Sequence, residues 1–560
     1  MDNQKNLILA VTFSILVLIV FDFFVNKPIR EQAMTDSMNT KNIDEGLDPK
    51  ISNPQFSIEK NEKIQEKRVS FDLGRIQGSI NLYGATFDDI ILKDYRNKVE
   101  KDSEPVRVLF RENSETPFLV RNGWASTTKI DLPNKNTLWK IKEVESADKG
   151  LIELFWKNNQ GIIFQRKIAF DENYLIKITD SVTNFSKDTL NLSNYSYIQR
   201  KNHRPENKFF ILHEGPIGVF NQELRELSYD EIEEQKVITE NASSGWIGIT
   251  DHYWQVSIFP EAGNKFESNF KNIKDLKNSI QVDFINKKIF SLKPTETIST
   301  NSFIFVGAKE VPLIDRYMKE YNIQNFDLSV DFGWFYFLTK PLFYALNYLS
   351  LFFGNFGIGI IILTLFVRIL LFPLANKSFK SMNAMKLLTP EIQRLKERFK
   401  DDKARMNQEM FNLYKQKKIN PAAGCLPILL QIPIFFALYK VLFVSIEMRH
   451  APFFGWIKDL SAPDPTSIFN VFGLIPWDPP GFLVIGIWPI LMGLTMYLQQ
   501  KLNPPPPDPI QAKIFMMLPF IFTFLLATFP AGMVIYWTFN NILSIAQQSL
   551  ILRKQKLADS

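Results

Sequence analysis

Hydrophobic and polar positions divide the chain into two regimes. From about residue 69 to residue 310, apolar residues come in short runs that alternate with polar ones, as in Gly78–Gly84, Gly161–Phe170, Tyr174–Asp180 and Trp254–Phe259. Alternation with a period of two sends successive side chains to opposite faces of a strand, and the turn residues between runs end each strand. The pattern predicts an all-β sandwich over residues 69–315. After residue 330 the runs lengthen to about twenty apolar positions, the length of a membrane-crossing helix. They predict spans near 356–374, 425–444, 482–498, 514–529 and 533–550.

A further apolar run, residues 7–25, follows a short polar start. It is too long for a signal-peptide core and no small-x-small cleavage site follows it, so residues 1–26 read as an uncleaved signal-anchor helix with a cytoplasmic N-terminus. Residues 27–68 are polar and nearly free of aromatics, which predicts a flexible linker. Residues 331–350 are rich in aromatics and interrupted by Lys340-Pro341, which suits an amphipathic helix in the headgroup plane.

Residues 375–421 carry many Lys and Arg and lie between spans, which places them in the cytoplasm. Two apolar stripes run through them at three-four spacing. One is Met385, Leu388, Ile392, Leu395 and Phe399; the other begins with Met406 and Met410. They predict a helical hairpin with its apolar stripes packed on each other. The tail 553–560 is basic and also reads as cytoplasmic. With six spans, both termini fall inside, and residues 27–330 and the loop 445–480 fall outside.

Composition narrows the chemistry. The net charge of +6 over 560 residues is mild, and no basic cluster is interleaved with stacking aromatics, so nucleic-acid recognition is not expected. Cys425 is the sole cysteine, which excludes an intramolecular disulfide and a cysteine-based zinc site. The four histidines have no ligand spacing, so neither a metal nor another cofactor is expected. No phosphate-binding loop or nucleophile elbow is present, and nothing reads as an enzyme.

The polar residues noted within the long spans are Thr364, Arg368, Gln431, Asn540 and Asn541. A guanidinium in hydrocarbon costs roughly 3 kcal/mol on insertion scales. Arg368 lies close to Pro373 and Lys377, so it either snorkels to the headgroups or faces a watery cavity within the bundle. The spans after residue 350 contain no acidic partner for it. Thr364 is four residues away, on the same helix face. Gln431, Asn540 and Asn541 suit either interhelical hydrogen bonds or a cavity wall.

Several segments carry a family resemblance: Phe366–Leu374, Asp401–Met410, Lys418–Tyr439, Asp459–Ala462, Pro489–Met496 and Phe529–Trp537. In these the chain resembles the YidC/Oxa/Alb family of membrane protein insertases, in the long Gram-negative form. The resemblance covers nearly the whole chain. It implies an N-terminal anchor, a five-helix insertase core over 351–552 around a hydrophilic groove, the hairpin 375–421, and an external β-supersandwich without catalysis. Arg368 matches the groove arginine that attracts acidic residues of the translocating segment. Gln431 is implied to line the groove, and the positions of Thr364, Tyr536 and Trp537 to meet substrate. The family often has two tyrosines where this chain has Tyr536-Trp537, and Ser467–Pro480 is an insertion. Implied partners are nascent inner-membrane proteins, the Sec translocon with its accessory subunits, the ribosome, weakly, and membrane lipids.

Overall fold

The computed structural model describes residues 66–143, 150–203, 212–273, 278–333, 335–399, 402–417, 426–473, 475, 477, 479–480, 484–503 and 509–559. The anchor at 1–26, nearly all of the linker 27–68, and Cys425 lie outside the described residues.

Two large sheets account for residues 68–308. The first runs in the order Arg68–Leu73, Ile76–Asn81, Thr86–Arg96, Phe118–Ser126, Leu190–Arg200, Ile280–Asn286, Phe266–Asn272, Val237–Ala242. Pro105–Leu109 pairs with its third strand, and Phe290–Leu292 with its fifth. The second runs Glu223–Glu226, Gly215–Phe220, Gly245–Thr250, Trp254–Phe259, Thr297–Ala308, Leu175–Asn184, Ile162–Phe170, Leu151–Lys157, Lys140–Glu143. Neighbouring strands pair antiparallel, as in Leu175–Asn184 against Thr297–Ala308 from Leu175↔Phe305 to Thr183↔Thr297. Among the described residues one short helix interrupts the strands, α1 (Tyr229–Gln235), capped by Ser228, whose hydroxyl accepts from the Glu231 amide.

Alternation is visible in the burial of single strands. In Ile162–Phe170, for example, Ile162, Phe164 and Ile168 are buried. The polar set is not always solvated, however. Arg166 and Asp180 are almost fully buried and form a two-pronged ion pair at 2.7 and 3.0 Å. Asn122 reaches Ser302 on the other sheet at 3.2 Å. The carboxylates of Asp88, Asp89 and Asp283 are buried as well and paired to Arg68, Arg107 and Lys271 respectively. Two sheets this wide cover each other's central polar positions, and a buried charge must then find a partner.

The connector is α2 (Val311–Glu320) followed by a single 3₁₀ turn, Phe326–Ser329. Then come α3 (Tyr336–Phe353), α4 (Phe356–Leu370), α5 (Phe372–Leu387), α6 (Thr389–Arg398), α7 (Lys403–Gln416), α8 (Leu426–Val444), α9 (Ile487–Leu502), α10 (Pro509–Leu526) and α11 (Ala531–Asp559). α3 continues through Pro341, and Lys340 is held at 2.9 Å by Asp315 and 2.7 Å by Asp327 of the connector. Its Phe337, Tyr348, Leu351 and Phe352 are exposed, while Phe343 and Leu346 are buried.

Gly354 ends α3 in the left-handed region at φ 66°, and the Asn355 side chain caps α4. α4 and α5 meet at a 67° bend, where Pro373 occupies the first turn of α5 and cannot carry the hydrogen-bond ladder onward. Among the described residues no single helix is both long and apolar enough to cross a membrane. The bent pair α4–α5 has the required length and composition, and the apolar stretches Gln431–Val444 and Ala512–Leu526 are shorter. α9 begins at Ile487, later than the predicted 482, because the loop before it supplies its caps. Thr466 Oγ1 accepts from the Ile487 amide and Asp464 from the Trp488 amide, both at 3.0 Å.

The basic hairpin departs from its expected form. Its first stripe does not lie on one helix: Met385 is on α5, Leu388 is the junction residue, Ile392 and Leu395 are on α6, and Phe399 closes α6. Pro390 in the first turn of α6 explains the break. Met406 and Met410 lie on α7. Arg398 and Arg405 both sit over the Phe399 ring, at 5.6 Å. α5 packs instead on the end of α11, through Ala375, Phe379 and Ile551. The basic tail continues α11 as helix to Asp559.

Candidate functional site

Four of the polar residues singled out in the apolar runs, Arg368, Gln431, Asn540 and Asn541, line one cavity of about 520 Å³. α4 contributes Arg368 and α8 Gln431. α9 brings Gln499 and Gln500, and α11 brings Tyr536, Trp537, Asn540, Asn541, Ser544 and Gln548. The apolar remainder includes Phe379, Phe435, Phe515 and Phe522.

Arg368 stands in the last turn of α4, where a cation opposes the negative end of the helix dipole. Its Nε donates to Asn540 Oδ1 at 2.9 Å and its Nη2 to the same oxygen at 2.6 Å, with the Asn540 carbonyl 3.4 Å away. Among the described residues no carboxylate pairs with it. The guanidinium is therefore held in place by a neutral amide, and its charge is left uncancelled beside the cavity. Such a group can orient toward, and bind, a carboxylate that enters.

Gln431 donates to the Tyr536 hydroxyl at 2.8 Å, tying α8 to α11. Asn541 donates to Thr495 at 3.3 Å and Gln548 to Asn503 at 3.0 Å, both across to α9 or its end. Among the described residues, the buried Gln500 Oε1 and Gln548 Oε1 have no donor from the protein. Acceptors of this kind need water or an incoming polar group. At the other end of the cavity, Trp537 packs against Phe435 at 4.7 Å and Phe522 at 5.9 Å.

Thr364 is the exception among the predicted residues. It is buried, its hydroxyl donates to its own helix at Ile360 O at 2.6 Å, and it does not line the cavity. Sequence reasoning missed Gln499, Gln500, Ser544 and Gln548. The signal was available for α11: Asn540, Asn541, Ser544 and Gln548 recur at three-four spacing and share one face.

Fold and site together define a two-part protein, an all-β domain of two large sheets joined to an apolar helical core that encloses a polar, arginine-bearing cavity. The model of the 60Kd inner membrane protein family matches residues 348–558, and that of the YidC periplasmic domain matches residues 68–345. The membrane protein insertase YidC of Rickettsia massiliae is 46% identical over 556 residues, covering 98% of this chain and 99% of the relative. That of Rickettsia prowazekii is also 46% identical with the same coverage. A crystal structure of an active YidC insertase, with its first transmembrane domain resolved, is 16% identical at a TM-score of 0.34, covering 86% of this chain and 92% of that one. A galactose mutarotase related enzyme from Lactobacillus acidophilus is 10% identical at a TM-score of 0.31, covering 43% and 97%. The chain belongs to the YidC family of inner-membrane proteins, one of insertases rather than enzymes, and it carries that family's periplasmic domain.

Proposed function

We propose that the chain is a membrane protein insertase, and that the cavity around Arg368 is the groove that receives the hydrophilic part of an inserting protein. The observation that carries this reading is an arginine held by Asn540 with no carboxylate partner among the described residues. A polar cavity within the membrane shortens the hydrocarbon path that a hydrophilic tail must cross, which lowers its desolvation cost. Arg368 adds attraction for an acidic residue in that tail, of order 4 kcal/mol at 4 Å and an effective dielectric of about 20. The apolar segment then leaves sideways into lipid, favoured by roughly 25 cal/mol per Å² of apolar surface buried.

The topology proposed with it has six spans, both termini and the hairpin α5–α7 cytoplasmic, and residues 27–330 periplasmic. The basic residues from Lys377 to Lys418 support this orientation. Clients are nascent inner-membrane proteins, inserted alone or with the Sec translocon, and the ribosome docks weakly, in keeping with the short basic tail.

A photo-crosslinking residue at position 431 tests the path. Capture of a ribosome-bound nascent membrane protein that changes with chain length is the expected result. Arg368→Ala should slow insertion of acidic-tailed substrates. Absence of capture by folded, membrane-inserted protein would return Arg368 to a snorkelling role and the cavity to helix packing.

A further inference from the structure

A second cavity, of about 770 Å³, lies where the β domain meets the helical core. Its volume falls in the usual range of small-molecule sites, roughly 300–1,000 Å³. It is separated from the groove by the aromatic partition Phe435, Phe522 and Trp537, which lines both. Its polarity is graded. One end holds His213 and Glu226 of the β domain, Asp331 of the connector and Lys440 of α8; the remainder is apolar and largely aromatic.

The gradient follows the depth of α8. The outer end of this helix is fixed against the β domain, where His252 Nε2 donates to the Phe443 carbonyl at 2.8 Å. Lys440 lies four residues before Val444, about 6 Å down the helix at 1.5 Å per residue. With the proposed topology, in which α8 ends at the periplasmic face, that depth falls within the polar headgroup layer, which adds roughly 5–7 Å on each side of the hydrocarbon. Phe435 and Phe436 lie a further turn inward, at acyl-chain depth. The cavity wall is also continuous with a lipid-facing surface. On α10, Phe522 and Leu526 line it, while the adjoining Phe520, Phe524 and Leu525 are exposed.

The charges at the polar end are of both signs. Asp331 and Lys440 pair at 2.7 Å, and Glu226 opens onto the same space. Burial lowers the pKa of His213, so the ring is neutral near pH 7. Lys309 lies behind this end, buried and donating to Thr250 at 2.9 Å, and does not line the cavity. Burial pushes the Glu226 carboxyl up to about 7, so an ammonium entering beside it favours its charged form; with the Asp331–Lys440 pair, this end suits a ligand that brings a cation together with an anion.

We propose that this cavity binds a zwitterionic aminophospholipid of the outer leaflet. The headgroup ammonium lies toward Glu226 and Asp331, the phosphate toward Lys440, and an acyl chain along Phe436, Phe522 and Leu526. The bound chain completes the apolar seal behind Trp537. This inference rests on the proposed topology, with the β domain periplasmic, and stands apart from the role of the Arg368 groove in insertion.

The test uses the full chain in nanodiscs of equal parts phosphatidylethanolamine and phosphatidylglycerol, with retained lipid read by native mass spectrometry after transfer to mild detergent. The wild type should retain phosphatidylethanolamine several-fold over phosphatidylglycerol. Leu526→Trp, which fills the cavity, should lower retention at least five-fold, and Glu226→Gln should lower the headgroup preference while leaving the fold intact. Equal retention by wild type and Leu526→Trp, or a preference for phosphatidylglycerol, would overturn the proposal. So would a photo-crosslinker at position 436 that captures nascent polypeptide in place of lipid.

Discussion

Asn540 holds the guanidinium of Arg368 with a single neutral oxygen, and Asn540→Asp replaces that oxygen with a charged one at almost no change in shape. If the free charge of Arg368 draws acidic tails into the groove, a resident carboxylate should occupy it first. The ion pair is worth of order 4 kcal/mol at 4 Å and an effective dielectric of about 20. Arg368 is only partly shielded from solvent, so about half of that, roughly 2 kcal/mol, is a reasonable net loss to an incoming carboxylate. At 1.4 kcal/mol per factor of ten, this corresponds to an insertion rate lower by about thirty-fold.

The assay is insertion into proteoliposomes, followed by protease protection, with two substrates that differ only by Asp→Asn changes in the translocated tail. The acidic substrate should suffer and the neutral one should change by less than about two-fold, since its tail never met the charge. Asn540→Leu is the counterpart: it removes the holding oxygen and leaves the positive charge, so preference for the acidic tail should persist. Undiminished insertion of the acidic substrate by Asn540→Asp would refute the charge-attraction step. Equal loss for both substrates would refute it too, by pointing to packing between α4 and α11.

Three further outcomes follow from particular contacts. Burial holds the His252 ring at a pKa of about 4 and the His203 ring likewise, so between about pH 6.5 and 4 the unfolded chain takes up protons that the folded one refuses. Stability should fall as pH drops through that window, by up to about 3 kcal/mol per ring, and His252→Gln should remove one proton from the dependence in fluorescence melts at pH 7 and pH 5. A Cβ on Gly493 would stand 2.0 Å from Thr523 Oγ1, so Gly493→Ala should separate α9 from α10 at a cost of about 1–3 kcal/mol, and Thr523→Ala should restore part of the melting temperature when combined with it. Asp180→Ala strands Arg166 in the β-domain core and should cost about 3–5 kcal/mol, seen as faster proteolysis of the full chain; unchanged protection would mean that the guanidinium finds water.

The β domain was legible because strand periodicity survives in a single sequence. The runs at Ile162–Phe170 and Leu175–Asn184 identify themselves by alternation alone. What alternation cannot report is whether the polar face meets water. Arg166, Asp180, Asn122 and Asp283 have the pattern of a solvated face, yet the other sheet or neighbouring charges cover them. Helix boundaries failed for a related reason. The caps of α9 come from Asp464 and Thr466, some twenty residues upstream, and the stripe from Met385 to Phe399 ignores the break that Pro390 imposes.

The cavity itself was only half legible. A charged or amide side chain in an apolar run advertises itself, so Arg368, Gln431, Asn540 and Asn541 could be picked out one at a time. Their convergence is a property of packing: α4, α8 and α11 must meet before Asn540 can hold Arg368 and Gln431 can reach Tyr536. Thr364 makes the same point in reverse. It shares a helix face with Arg368, but a β-branched hydroxyl can satisfy itself on the preceding turn, and it bonds Ile360 inside the packed interface rather than facing the cavity. An arginine has no such local solution, because its donors lie at the end of a long side chain and its charge needs a polar environment. That asymmetry is why Arg368 organises the site: α11 places Asn540, Ser544 and Gln548 on the face that opens toward it, and the polar cavity follows from the one residue the apolar helix could not satisfy alone.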